Sequence, residues 1–178
     1  VRLAAERAIK SRRTRTGFQR RLLANLRDAL RTTGAPFRVE PSWGRLWVRT
    51  RSAESLAVLP RVFGVSSFSP VDIVVPADLD AIVSAGEAAF REQVRGKTFA
   101  VRARRAGRHP FSSQDIHVRL GAALNRYARV DLDNPDVTVH VEVRENEAYL
   151  FTRWLPGAGG LPVGVEGNAV ALISGGYD

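Results

Sequence analysis

Gly96–Ser113 reads GKTFAVRARRAGRHPFSS, and its alternation makes it a strand that runs through a turn into a helix cap. Phe99, Val101 and Ala103 turn one face toward a core, while Thr98, Ala100, Arg102 and Arg104 share the other. Arg105, Arg108 and His109 follow around Gly107 and Pro110, and Ser112 or Ser113 can cap the next helix. The stretch carries five Lys or Arg side chains and no carboxylate. An arginine fork matches phosphate geometry, and a turn with hydroxyls supplies further donors, so the segment reads as an address for polyanions. The competing reading is a solvated strand edge whose charges prevent aggregation.

Charge along the whole chain favours the first reading. The 27 Lys+Arg against 18 Asp+Glu give a net charge of +9 and a pI near 11.2. Residues 1 to 130 hold 25 basic and 10 acidic side chains, a net of +15, and residues 131 to 178 hold 2 and 8, a net of −6. A basic body with an acidic end is not generic surface solubility. The preference for arginine over lysine also follows from high genomic GC content and is given no weight.

A length of 178 residues with 44% apolar side chains allows one compact domain or two small ones. No apolar run approaches the ~20 residues of a membrane span, so no membrane partner and a cytoplasmic location are expected. Zero cysteines exclude a disulfide framework, a thiolate metal site and a cysteine nucleophile within this stretch. His109, His117 and His140 lack ligand spacing, so no metal site is expected. The absence of any methionine implies that residue 1 is not the natural start.

The chain reads as two basic α/β units and a tail. In the first, Val1–Ala4 is a short strand, Arg12 to Arg15 add charge, and a helix covers about 16–32 with Phe18, Leu22, Leu26, Ala29 and Leu30 on one face. Strands at Phe37–Glu40 and Arg45–Thr50, a helix at Ala53–Arg61 and an extended stretch at Val65–Val75 complete a β-α-β-β-α-β order, which is ferredoxin-like. Trp43 and Trp47 read as packing and turn residues.

The second unit opens with a helix at Ala77–Val94, followed by the charged strand and a helix at about Ser113–Tyr127, on which His117 and Arg119 read as ordinary surface residues. Val137–Val143 alternates as a strand with His140 on its polar face, and Glu145–Glu147 turns into Ala148–Trp154. The run PGAGGLPVG at Pro156–Gly164 breaks the pattern as a linker or a loop lying on the next unit. Ala169–Ile173 is a short apolar strand ending in Ser174, Gly175, Gly176, Tyr177 and Asp178, a turn of the kind that offers backbone N–H groups and a hydroxyl to phosphates.

Together, Gly96–Ser113, NPDVTVHVEV at Asn134–Val143, GGLPVG at Gly159–Gly164, LISGGYD at Leu172–Asp178 and ERAIKS at Glu6–Ser11 resemble the bacterial tRNA 4-thiouridine synthetases, sulfurtransferases also linked to thiamine biosynthesis. The resemblance covers the chain in order. It implies an α+β architecture: an N-terminal ferredoxin-like domain (1–75), a THUMP domain (76–155), a linker (156–168) and the first strand and loop of a PP-loop ATP-pyrophosphatase domain (169–178). In that family the first two domains bind tRNA, with the THUMP domain holding the acceptor end, and the third adenylates uridine 8 with ATP before a cysteine desulfurase delivers persulfide sulfur.

Carried onto these residues, the resemblance assigns RNA contact to Lys10, Arg12, Arg13, Lys97, Arg102, Arg104, Arg105, Arg108, His109, Phe111 and Ser112. It assigns the ATP phosphate loop, with Mg2+ in the full-length parent, to Ser174, Gly175, Gly176 and Asp178. The pattern continues with Ser after Asp178, a helix, the rest of the α/β domain and a catalytic cysteine. The stretch is therefore expected to bind tRNA without ATP binding or catalysis of its own, and a homodimer is allowed. The alternatives are a THUMP-type module of another RNA-modifying enzyme and a basic docking module for an acidic protein. The SGGYD end argues against a methyltransferase or pseudouridine synthase, because neither chemistry needs an ATP-pyrophosphatase loop.

Overall fold

A computed structural model describes residues 1–4, 11–42, 45–167 and 170, with the backbone alone for Arg12, Arg13, Arg15 and Ser42. Within it the chain divides into two compact units, one made of 1–68 with 155–178 and the other of 69–154.

The first unit runs β1 (Arg2–Leu3), α1 (Arg12–Arg31), β2 (Phe37–Ser42), β3 (Arg45–Thr50), α2 (Glu54–Val58), a 3-10 turn (Leu59–Arg61) and β4 (Val65–Phe68). Its strands lie in the order β4-β1-β3-β2, all antiparallel, which is the expected ferredoxin-like arrangement. Leu22, Leu26 and Leu30 recur on one face of α1 and are fully buried against Val39, Leu46 and Val65. Helix α1 starts earlier than expected because Ser11 caps it, its hydroxyl oxygen accepting from the Thr14 N–H at 3.3 Å. Pro60 stops α2 short of the expected Arg61.

The second unit is built from β5 (Ile73–Pro76), α3 (Leu79–Val94), β6 (Thr98–Ala106), α4 (Ser113–Leu124), β7 (Arg129–Val130), β8 (Val137–Arg144) and β9 (Glu147–Phe151), with strand order β5-β9-β8-β6-β7. Strand β6, between β8 and the edge strand β7, runs parallel to both. Asp78 caps α3 by accepting from the Ala81 N–H at 2.9 Å. Phe90, Phe99, Ile116, Leu120, Val139 and Val141 form the core between the sheet and the two helices.

Two expectations change. The extended stretch at Val65–Val75 is two strands in different sheets, since Val65 and Ser67 pair with β1 whereas Ile73–Val75 pairs with β9. The limit at residue 75 therefore cuts through a strand of the second sheet. The stretch expected as a linker begins as β10 (Leu155–Pro156), antiparallel to β4. It then stays on the first unit. The Gly157 and Gly159 amides donate to the Ser66 and Val65 carbonyls at 2.9 and 2.7 Å, and the Arg21 and Asn25 side chains donate to the Val163 carbonyl at 2.9 and 3.0 Å. Gly157 fits because a β-carbon there would run into the Val65 carbonyl oxygen. The expected strand at Ala169–Ile173 and the loop Ser174–Asp178 lie outside the described residues, except Val170.

Candidate nucleic-acid interface

Strand β6 carries the charged stretch. Phe99 and Val101 are buried, and Ala103 lies against the core under α4. Ala100 is buried as well, so the solvated part of the second face begins only at Arg102. The Arg104 and Arg108 side chains are exposed and make no hydrogen bond or ion pair among the described residues. The Lys97 side chain at the other end of the strand and that of Arg129, whose position pairs with Thr98, are exposed and without a hydrogen bond among the described residues, although each lends its charge to a carboxylate, Asp136 and Asp131 respectively. At ~3.3 Å per residue, Lys97 and Arg104 lie roughly 23 Å apart. The predicted patch is thus two clusters of exposed cations, one at each end of β6. Arg129 and Arg153, also exposed, were not singled out from the sequence because each stands alone in its segment.

The turn after β6 is occupied with itself. Gly107 sits at φ 104°, in the left-handed region that favours glycine. One Arg105 nitrogen, Nη1, donates to the Gly107 carbonyl at 3.0 Å and to His109 Nδ1 at 3.2 Å. Guanidinium cannot accept, so Nδ1 is the acceptor and Nε2–H donates to the Glu145 carbonyl at 2.7 Å. These bonds tie the turn to the β8–β9 hairpin. Arg105 and His109 therefore hold the geometry that presents Arg108, a structural task the linear pattern does not reveal.

Phe111 corrects the list outright: it is 7% exposed and belongs to the core, so it is not available to stack on a base. Ser112 caps α4, its hydroxyl oxygen accepting from the Asp115 N–H at 3.2 Å while its N–H and hydroxyl donate to Asp115 Oδ2 at 2.7 and 2.8 Å. Those two bonds hold the Asp115 carboxyl below its ordinary value. They also fill the helix start with a carboxylate. Arg102 donates to the Leu132 carbonyl. Lys10 lies outside the described residues, and Arg12 and Arg13 open α1.

His117 departs from its reading as an ordinary surface residue. Its Nε2 accepts from the Ala103 N–H at 2.7 Å, on the edge of β6 that β7 leaves open past Phe99. Desolvation, with the charge of Arg102 second, lowers its pKa. A groove of about 560 Å³ lies beside it, floored by Phe99 and Val101 and flanked by Val118, Val130 and Leu132. His140 stacks on Phe151 at 5.1 Å between ring centroids, in keeping with a structural role.

Comparison with known proteins follows this division into two units. Residues 1–69 match the ThiI ferredoxin-like domain and residues 76–153 match the THUMP domain. The chain is a ThiI ferredoxin-like domain followed by a THUMP domain. A probable tRNA sulfurtransferase of Sulfurisphaera tokodaii is 37% identical over 179 residues, covering 100% of this chain and 47% of the relative. The chain thus spans about half the length of the curated relatives it matches. Among solved structures, PH1313 from Pyrococcus horikoshii superimposes with a TM-score of 0.83 at 35% identity over 93% of this chain and 57% of that one. A 4-thiouridine synthetase solved as an RNA complex with bound ATP gives a TM-score of 0.76 at 31% identity, over 99% of this chain and 46% of that one. The named sources are archaeal, so the expected bacterial origin of the resemblance is not supported. The charged strand β6 and its turn fall wholly within the THUMP domain.

Proposed function

We propose that this chain is the tRNA-binding half of a tRNA sulfurtransferase that installs 4-thiouridine at position 8. The observation that carries the reading is the match along 99% of the chain to a 4-thiouridine synthetase solved with RNA and ATP. The exposed cations at the ends of β6 supply the physical means. Lys97 and Arg129 at one end and Arg104 and Arg108 at the other take phosphates, while Arg105, His109 and Ser112 fix the turn between β6 and α4. A spacing of two dozen ångströms suits contacts to separate parts of a folded RNA, which is read mainly by shape.

The remaining chemistry belongs to residues beyond the described ones. In the parent enzyme, ATP with Mg2+ activates the uracil and a cysteine desulfurase supplies persulfide sulfur, with Ser174, Gly175, Gly176 and Asp178 opening the phosphate loop. A role in thiamine synthesis, a homodimer and a cytoplasmic location accompany that assignment. No described side chain is assigned to ATP, and the 178 residues alone are expected to turn over none.

Titration of structured tRNA into the chain tests the reading. Affinity falls with salt at a log–log slope of roughly −3 to −6. Arg104→Ala with Arg108→Ala weakens binding by about 1–3 kcal/mol in total without lowering the melting temperature. A flat salt response, or arginine variants that bind as the unaltered chain does, would overturn it.

A further inference from the structure

The sheet of the ferredoxin-like domain has a second face. Leu3, Val39, Leu46 and Val48 point into the core beneath α1, so Arg2, Arg38, Glu40, Arg45, Trp47 and Arg49 share the opposite side. The register sets arginine against arginine twice, Arg38 across from Arg49 and Arg2 across from Arg45. Like charges directly opposite one another across strands are destabilising.

Glu40 organises the first pair. It lies across from Trp47, and its two carboxylate oxygens meet Arg38 Nε at 2.6 Å and Arg49 Nε at 3.7 Å. The Arg38 and Arg49 side chains are 77% and 70% exposed. An ion pair this exposed adds little stability, so the consequence of the triad is orientation. Neither the Arg38 nor the Arg49 side chain makes a hydrogen bond among the described residues, so both guanidinium groups keep donors available. Two exposed guanidinium groups thus flank one carboxylate, and each is a planar fork that can donate to phosphate oxygens in pairs. Arg45 lies about 13 Å from Arg49 along β3 and extends the positive face.

We propose that this face is a second RNA-backbone site, in which Arg38 and Arg49 grip phosphates, Glu40 positions them and Trp47 stands beside them. It rests on the tRNA-binding reading above and adds a surface that neither the charged strand nor its turn contains. The contact is to backbone and carries no sequence preference of its own.

The test compares three double variants of the 178-residue chain by tRNA titration at about 0.1 M salt. Arg38→Ala with Arg49→Ala is expected to weaken binding about tenfold and to make the salt slope shallower by roughly 1–2. Arg20→Ala with Arg61→Ala, which removes the same charge from α1 and the 3-10 turn, costs less than about twofold if no phosphate sits there. Arg38→Lys with Arg49→Lys keeps the charge, loses the forks and weakens binding about threefold, which covers the case in which the alanines disturb the sheet. Equal losses in the two alanine doubles would mean that only the general field matters and would overturn the site. An unchanged affinity for the Arg38 and Arg49 alanine double, beside a loss for the Arg104 and Arg108 double, would overturn the site and leave the tRNA reading standing. No tRNA binding by the unaltered chain overturns both.

Discussion

Replacing His117 separates a hydrogen bond on the sheet edge from a surface decoration. The Ala103 N–H has one protein acceptor, His117 Nε2 at 2.7 Å. A net hydrogen bond is worth about 0.5–1.5 kcal/mol, and orphaning a buried donor about 1–3 kcal/mol. Ala103 and His117 are both half-exposed, so water on the open side reduces the penalty. His117→Ala is therefore expected to cost about 1 kcal/mol, with His117→Gln recovering part of it through its side-chain oxygen. The pH dependence has a definite sign. Burial, and next the charge of Arg102, lower the folded-state pKa below the ordinary 6.5. The unfolded chain then binds the proton first, so the contribution is complete above pH 6.5 and is lost as pH falls through the lowered folded value. Urea unfolding at several pH values between about 8 and 5.5, paired with amide exchange at Ala103, measures both effects. The difference between the unaltered chain and His117→Gln isolates this residue from His109 and His140. Parallel stability curves across that range, or an Ala103 amide that exchanges no faster in His117→Ala, would refute the reasoning.

Two further substitutions probe the packing. Phe111→Ala is expected to destabilise the THUMP domain by about 3–5 kcal/mol, the range for a buried aromatic, as read by thermal unfolding. Phe111→Leu, which stays folded, should bind tRNA as the unaltered chain does, and a selective loss of RNA binding would restore Phe111 as an RNA contact. Gly157→Ala is expected to lower the stability of the ferredoxin-like domain by at least about 1–3 kcal/mol, because the added methyl meets the Val65 carbonyl, and a neutral effect in urea unfolding would show that the returning segment is not held there.

The architecture was legible where periodicity was strong. The leucines of α1 and the valines of β8 declared their faces, and Ser112 announced a helix start. Strand β7 was missed because two residues have no period, and β10 because a Gly-Pro-rich run offers no alternation even when its amides join a sheet. In the charged segment, the sequence identified which cations existed but not which were already engaged. Arg104 and Arg105 are neighbours of one chemical type, yet one is free among the described residues and the other closes a turn. Phe111 was assigned to RNA contact through the family resemblance alone, and its burial depends on α4 packing that no local pattern encodes. The Arg38–Glu40–Arg49 triad needs the β2–β3 register to exist at all.

The pairing of Leu155 with Phe68 has a consequence for the order in which the protein assembles. The chain departs from the first sheet at Phe68 and rejoins it at that same residue's partner, so residues 69–154 are an insertion within an otherwise continuous sheet. During synthesis the ferredoxin-like domain emerges first yet lacks its edge strand until the whole THUMP domain has followed. The second domain, contiguous in sequence, has every strand it needs before the first does. Of these two domains, the one translated first is thus finished second, and a ribosome paused between them would hold out a four-stranded sheet with β4 as an unprotected edge.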